Sequence, residues 1–161
     1  MKTVVYFGST TGDCERIAKS IASKLNADIH NVSELSDADM QAYDLIVLGS
    51  STWGYGDLQD DWEGAISTLS SANLAGKKVA VFGCGDSASY SDTYCNAIGL
   101  IYDAASTTGA TMVGGGLSTD SYEFSDSAAV RDNAFVGLAL DEVNQPELTD
   151  SRIDAWVKTL L

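Results

Sequence analysis

The chain has 161 residues, 45% of them hydrophobic, with one proline and 15 glycines, which fits one compact domain and argues against a linker-rich or disordered chain. Nine basic residues against 23 acidic ones leave a net charge of −14, which makes nucleic acid and anionic lipid poor partners. The apolar run at residues 4–7 is too short for a signal-peptide core, no later stretch reaches membrane-spanning length, and the three cysteines form no CxxC pair; free thiols in a reducing cytoplasm are the expectation. The negative charge either steers the protein toward basic protein surfaces or only keeps it soluble and monomeric.

Residues 3–7 read as a strand buried on both faces, after which Ile17, Ala18, Ile21, Ala22 and Leu25 recur at helical spacing. A weaker strand covers residues 27–32, with His30 expected at the surface. Leu45, Ile46, Val47 and Leu48 form a strong buried strand that ends at Gly49, Ser50 and Ser51. Trp62, Ile66 and Leu69 mark a second helix, followed by a strand over residues 78–82. Ile98, Ile101, Tyr102 and Ala105 mark a third helix, and residues 110–113 a fifth strand. Residues 117–133 are polar, and Phe135 to Leu140 then reads as strand again. Long structureless stretches are uncommon inside compact domains, so an insertion splitting the fifth strand, which resumes at Phe135, is preferred to a sixth strand. Thr149 can cap a last helix with Asp150 in its first turn and Ile153, Trp156, Val157 and Leu160 as its core stripe. The alternation predicts a single α/β domain over residues 1–161. Its architecture is a doubly wound five-stranded parallel sheet of order 2-1-3-4-5, with helices on both faces and ligands beyond the carboxyl ends of the strands.

Ser9, Thr10, Thr11, Gly12, Asp13 and Cys14 lie between the first strand and the first helix. A helix N-terminus supplies converging N–H donors and a favourable dipole for a phosphate, the hydroxyls add donors, and Gly12 lets the backbone curl. The Lys of a Walker loop and the GxGxxG of a dinucleotide fold are both missing. By itself such a cluster is more often an ordinary turn and N-cap; its position at the end of the first strand brings the two readings level. The third strand ends in Ser51, Thr52, Trp53, Gly54, Tyr55, Gly56 and Asp57, and the fourth in Cys84, Gly85, Asp86 and onward to Tyr90 and Asp92. Each loop carries an aromatic among small polar residues, on the edge that bears the phosphate loop. Trp53 and Tyr90 either pack on neighbouring loops or face each other across a flat ligand with a phosphate at one end.

With these motifs together, the sequence resembles a flavodoxin, a family of small FMN-binding electron carriers. STTGDC is similar to the family's [ST]-x-T-G-x-T phosphate loop, SSTWG and GCGDSASY to its two flavin loops, and FVGLALDE with NQPELTDSRI to its C-terminal part. The polar insert matches the long-chain branch. The resemblance implies that residues 9–14 hold the FMN phosphate, while Ser51, Thr52, Trp53 and Gly54 line the ribityl chain and one flavin edge. It also implies that Cys84, Gly85 and Asp86 offer backbone groups to the pyrimidine end, with Asp92 in the same loop. Trp53 and Tyr90 then stack on opposite ring faces, and the Gly54–Tyr55 peptide flips on reduction.

The implied function is a low-potential one-electron carrier, not an enzyme, cycling mainly between neutral semiquinone and hydroquinone. It would work as a cytoplasmic monomer between a reductase and acceptor redox enzymes with basic docking surfaces, with no metal, nucleic acid or membrane involved. Asp57, Asp60, Asp61 and Glu63 form either a solvated helix start or a docking rim. An FMN store or regulator and an FMN oxidoreductase are the competing classes. Cys14 in place of the usual Thr offers a weaker donor, Asp13 puts an acid beside the phosphate, and Val143 stands where several relatives carry an acid.

Overall fold

A computed structural model describes residues 1–8, 12–53 (Trp53 by its backbone) and 56–161. The elements in chain order are β1 (Thr3–Gly8), α1 (Asp13–Leu25), β2 (Asp28–Asn31), a short α2 (Asp37–Met40), β3 (Leu45–Trp53), β4 (Asp57–Leu58) and α3 (Asp60–Ser70). They continue with β5 (Lys78–Cys84), α4 (Asn96–Ser106), β6 (Thr111–Met112), β7 (Val130–Arg131), β8 (Ala134–Phe135), β9 (Leu138–Leu140) and α5 (Thr149–Leu160).

The main sheet runs β2-β1-β3-β5 with parallel pairing throughout, and the outer edge of β5 is paired first by β6 and then by β9. Lys78 lies opposite Thr111 at the start of β5, and Phe82, Gly83 and Cys84 lie opposite Leu138, Ala139 and Leu140 at its end. This is the expected five-position order with a split fifth strand. The apolar runs are continuous because both faces are covered. Alternation then sends Val4, Tyr6, Ile46, Leu48, Val79 and Val81 into a core with α3 and α4, and Val5, Phe7, Leu45, Val47, Ala80 and Phe82 into a core with α1 and α5. Gly49 lets the central strands close up, since a Cβ there would collide with the Phe82 ring. The Trp62 indole N–H donates to the Gly49 carbonyl at 2.7 Å, which fixes α3 on the sheet.

The second half of the fifth strand starts later than the sequence suggests. Phe135 does not lie in the main sheet. It belongs to β8, which pairs antiparallel with β7 across a two-residue turn in which Asp132 and Asn133 both take positive φ, 55° and 64°. Such turns match the right-handed twist of the flanking strands. The chain rejoins the sheet only after Gly137, where any Cβ would strike the Val81 carbonyl. The insert is polar in composition but not structureless. Phe135 packs edge-on to Tyr122 at 4.7 Å and lies 5.5 Å from Phe124, which in turn lies 5.2 Å from Tyr94. The Tyr122 hydroxyl donates to the Ala139 carbonyl at 2.7 Å and so ties the insert to β9.

Thr149 is likewise not the cap of α5. It is the first helical residue, with Leu148 at the cap position, and its hydroxyl bonds the Glu142 carboxylate instead. The carboxylate after β9 competes successfully for that hydroxyl. His30 is half-exposed, with Nδ1 3.6 Å from Glu34 and its ring against Tyr6.

Phe135→Ala removes the ring around which the insert packs, so unfolding in denaturant is expected to show a loss of about 3–5 kcal/mol, the range for burying no aromatic where one stood.

Candidate functional site

The loops that follow β1, β3 and β5 leave the sheet at one edge because these strands are parallel. The chain turns to opposite sides after β1 and β3, which opens a crevice there. At the first loop, α1 begins at Asp13 behind Gly12, whose φ of 93° is left-handed and whose missing Cβ faces open space. The first amides of a helix have no intrahelical acceptor, and Gly12 brings no side-chain cap, so the end of α1 suits an anion. Ser9, Thr10, Thr11, Gly54 and Tyr55 lie outside the described residues, as does the side chain of Trp53.

Asp13 is compensated locally. Arg16, one turn on, places Nη1 3.1 Å from Asp13 and Nη2 2.6 Å from Glu142 in the segment after β9. The hydrogen bond to Asp13 and the neighbouring carboxylates hold the guanidinium above its ordinary value. Cys14 does not offer its thiol to the loop edge. Its residue is fully buried in the core shared by α1 and α5, where it meets Cys84. The hydrogen bond from Cys14, followed by burial, pushes the Cys84 thiol well above its ordinary value. The structure therefore unites the two cysteines beneath the edge.

At the second loop, Ser51 is buried and Thr52 Oγ1 accepts the Ala97 N–H at 3.0 Å, so the Thr52 hydroxyl steadies the start of α4. Gln59, three percent exposed, accepts the Asp61 N–H at 2.9 Å, and its side chain fills the space where Gly8 has no Cβ. The composition of the segment around Gln59 gave no sign of this contact, because it depends on β1 ending against α3.

The third loop is closed by side chains. Asp86 Oδ1 accepts the N–H groups of Ala88 at 3.1 Å and Ser89 at 3.0 Å, and the Asn144 amide at 2.8 Å. The Gly85 N–H donates to the Leu140 carbonyl at 3.0 Å. A Cβ at Gly85 would press on the Cys95 backbone and thiol. Asp141, one percent exposed, accepts from the Ser87 N–H at 3.1 Å, the Ser87 hydroxyl at 2.5 Å, and the Val143 and Asn144 N–H groups at 3.1 and 2.8 Å. Tyr90 remains 43% exposed beside this frame, and Asp92 is exposed in the turn after it. Arg16, Gln59, Ser87, Asp141 and Asn144 were not among the residues read from sequence. The one available signal was the acid-amide run DEVN directly after an apolar strand.

The Asp86 carboxyl lies below its ordinary 3.8, chiefly because it accepts the Ser89 backbone N–H, with Asn144 and Ala88 adding. A depressed carboxyl contributes stability that is present above the unfolded value and lost as pH falls through the folded one. Acid titration below about pH 4 should therefore loosen the 86–90 turn, followed by Tyr90 fluorescence, and Asp86→Asn should remove that pH dependence.

Residues 5–156 match the family model described as Flavodoxin. The chain is 44% identical over 162 residues to Flavodoxin 1 of Escherichia coli strain K12, covering 98% of this chain and 92% of that protein. It is 42% identical over 163 residues to a flavodoxin of Synechococcus elongatus, covering 99% and 95%. Among solved structures, the Fusobacterium nucleatum flavodoxin bound to flavin mononucleotide superposes with a TM-score of 0.92 at 27% identity, covering 99% of this chain and 97% of that one. With the sheet order, the helix end behind Gly12 and the ends of β1, β3 and β5 at one edge, these matches show that the chain belongs to the flavodoxin family.

Proposed function

We propose that the chain is a one-electron carrier that binds FMN non-covalently at the loop edge of the sheet and works mainly between the one-electron and two-electron reduced levels. The observation that carries this reading is an α1 N-terminus opened by a left-handed Gly12, on the same sheet edge as a side-chain-braced loop that presents Tyr90 at the surface. FMN supplies the redox chemistry, and the protein supplies position and electrostatics. The amides at the start of α1, with Ser9, Thr10, Thr11, Gly12, Asp13 and Cys14, hold the phosphate. Ser51, Thr52, Trp53 and Gly54 border the ribityl chain, the 84–86 backbone meets the pyrimidine end with Asp92 nearby, and Tyr90 covers one ring face opposite Trp53. Negative charge around this edge opposes the arrival of a second electron, because added negative charge in a partly desolvated site has little to offset it.

Redox partners with basic surfaces are favoured by the net charge of −14 and by the exposed Asp57, Asp60 and Glu63 after β3 and Asp92 after Tyr90. Among the described residues no helix is long and apolar enough to cross a membrane, and the three cysteines are free and buried. Free buried thiols favour a reducing compartment, and a cytoplasmic monomer is part of this reading. The long insert, held by its own aromatic cluster, accords with the long-chain branch.

The deciding experiment is reconstitution with FMN and anaerobic photoreduction. A long-wavelength absorbance that rises at half reduction and then falls is expected; direct two-electron reduction by NAD(P)H would place the chain among FMN oxidoreductases instead. Tyr90→Ala should weaken FMN by about 0.5–1.5 kcal/mol, the worth of an aromatic stack, and make the second reduction easier in a spectroelectrochemical titration. Arg16→Ala leaves Asp13 and Glu142 facing the phosphate without their cation. FMN affinity measured by flavin fluorescence quenching should fall by about 0.2–1 kcal/mol, with the difference shrinking as salt rises.

A further inference from the structure

The geometry points to Asp141 as a positioning residue. Buried behind the third loop, it sets where Gly85, Asp86 and Tyr90 stand and so tunes FMN affinity and the second reduction potential. This inference rests on the FMN reading above.

Asp141 follows β9 directly and is one percent exposed. Its contacts divide between two segments distant in sequence. Oδ2 accepts the Ser87 N–H at 3.1 Å and the Ser87 hydroxyl at 2.5 Å, both from the loop after β5. Oδ1 accepts the Val143 and Asn144 N–H groups at 3.1 and 2.8 Å, from the turn after β9. The Asn144 amide reaches both oxygens, at 3.2 and 3.0 Å, and also the Asp86 carboxylate at 2.8 Å. Every partner is a donor, the pattern a carboxylate accepts. Removing such an acceptor from a buried site leaves several donors unsatisfied at once.

The path from Asp141 to the ligand edge is short. Asp141 holds Ser87, and Asn144 holds the Asp86 carboxylate, which in turn accepts the Ala88 and Ser89 N–H groups. The Asp86 carbonyl accepts the Tyr90 N–H at 2.9 Å, so the ring's backbone anchor is the last member of this chain. A second anchor, the Gly85 N–H on the Leu140 carbonyl, comes from the residue before Asp141. The loop is thus suspended from the end of β9 at three successive residues, and Asp141 or its amide neighbour Asn144 makes two of the three links.

An amide cannot substitute for Asp141 without loss. In Asp141→Asn one acceptor oxygen becomes an NH2 group, which must face either the Ser87 donors or the Val143 and Asn144 N–H groups. Ser87→Ala is the milder companion: it deletes the hydroxyl donor and keeps the Ser87 backbone link.

The test compares wild type, Asp141→Asn, Ser87→Ala and a control of similar stability loss in the far core, Leu74→Ala, with three readouts. These are amide hydrogen exchange of the apoprotein over residues 85–90, the FMN dissociation constant, and the second reduction potential. In Asp141→Asn, exchange at 85–90 is expected to rise at least tenfold while β1 and α3 stay protected. FMN binding should weaken about tenfold, and the second potential should become less negative. Ser87→Ala should move all three the same way by a few-fold, and Leu74→Ala should move none of them at the loop. Wild-type exchange and potential in both loop variants, or a potential shift equalled by Leu74→Ala, would overturn the role. If Asp141→Asn does not fold, Ser87→Ala decides: local loosening with a shifted potential supports the role, and wild-type values refute it. Failure of the wild-type chain to bind FMN would instead refute the FMN reading, independently of exchange in the apo loop.

Discussion

A buried parallel strand must have its N–H and C=O groups paired along both edges, because water cannot satisfy them there. β5 meets this demand on its outer side with two separate pieces of chain, β6 at its beginning and β9 at its end. The second pairing forces the polypeptide to return after the insert, parallel to β5 and in register with Phe82, Gly83 and Cys84. Asp141, Glu142 and Asn144 then emerge beside the 85–90 segment and the start of α1. Glu142 reaches back to Arg16 on α1, and Asp141 and Asn144 reach across to the 85–90 segment. One backbone requirement therefore connects the helix end that suits a phosphate with the loop that presents Tyr90.

The site also has to receive an anion in a strongly acidic protein. The net charge of −14 acts over distances comparable to the Debye length, about 8–10 Å at physiological salt, whereas backbone amides and a helix end act at hydrogen-bond range. For a phosphate held at the α1 end, as proposed, close dipoles outweigh the distant field, and Arg16 pairs with Asp13 and Glu142 there. In the proposed function, the same acidity opposes a second electron on the flavin and favours basic redox partners. Ligand retention and partner attraction are separated by distance rather than by different surfaces.

The insert illustrates where reading residue types falls short. Residues 117–133 are polar on average, yet Tyr122 and Phe124 pack on Phe135 and Tyr94. Two aromatics in a polar stretch show no periodicity, so only the partners supplied by β8 and the segment before α4 reveal a core. Phe135 looked like strand for the same reason. It has the apolar character of a buried position, but its partners are Val130 in the β7–β8 hairpin and Leu117 through an isolated bridge, rather than β5.

Periodicity and apolar runs alone determined the alternating α/β class, the sheet order and the split of the fifth strand, because burial on two faces leaves a continuous apolar signature. Glycine and hydroxyl placement at strand ends marked the three loops for the same kind of local reason. The tertiary structure alone decided that the Cys14 thiol meets Cys84 in the core, that Thr149 serves Glu142 instead of capping α5, and that Asp141 braces the 85–90 loop. Each of these contacts joins segments that share no local pattern. A buried polar atom must find its partner wherever the packed strands bring a donor or an acceptor within reach, and that distance is not written in neighbouring residues.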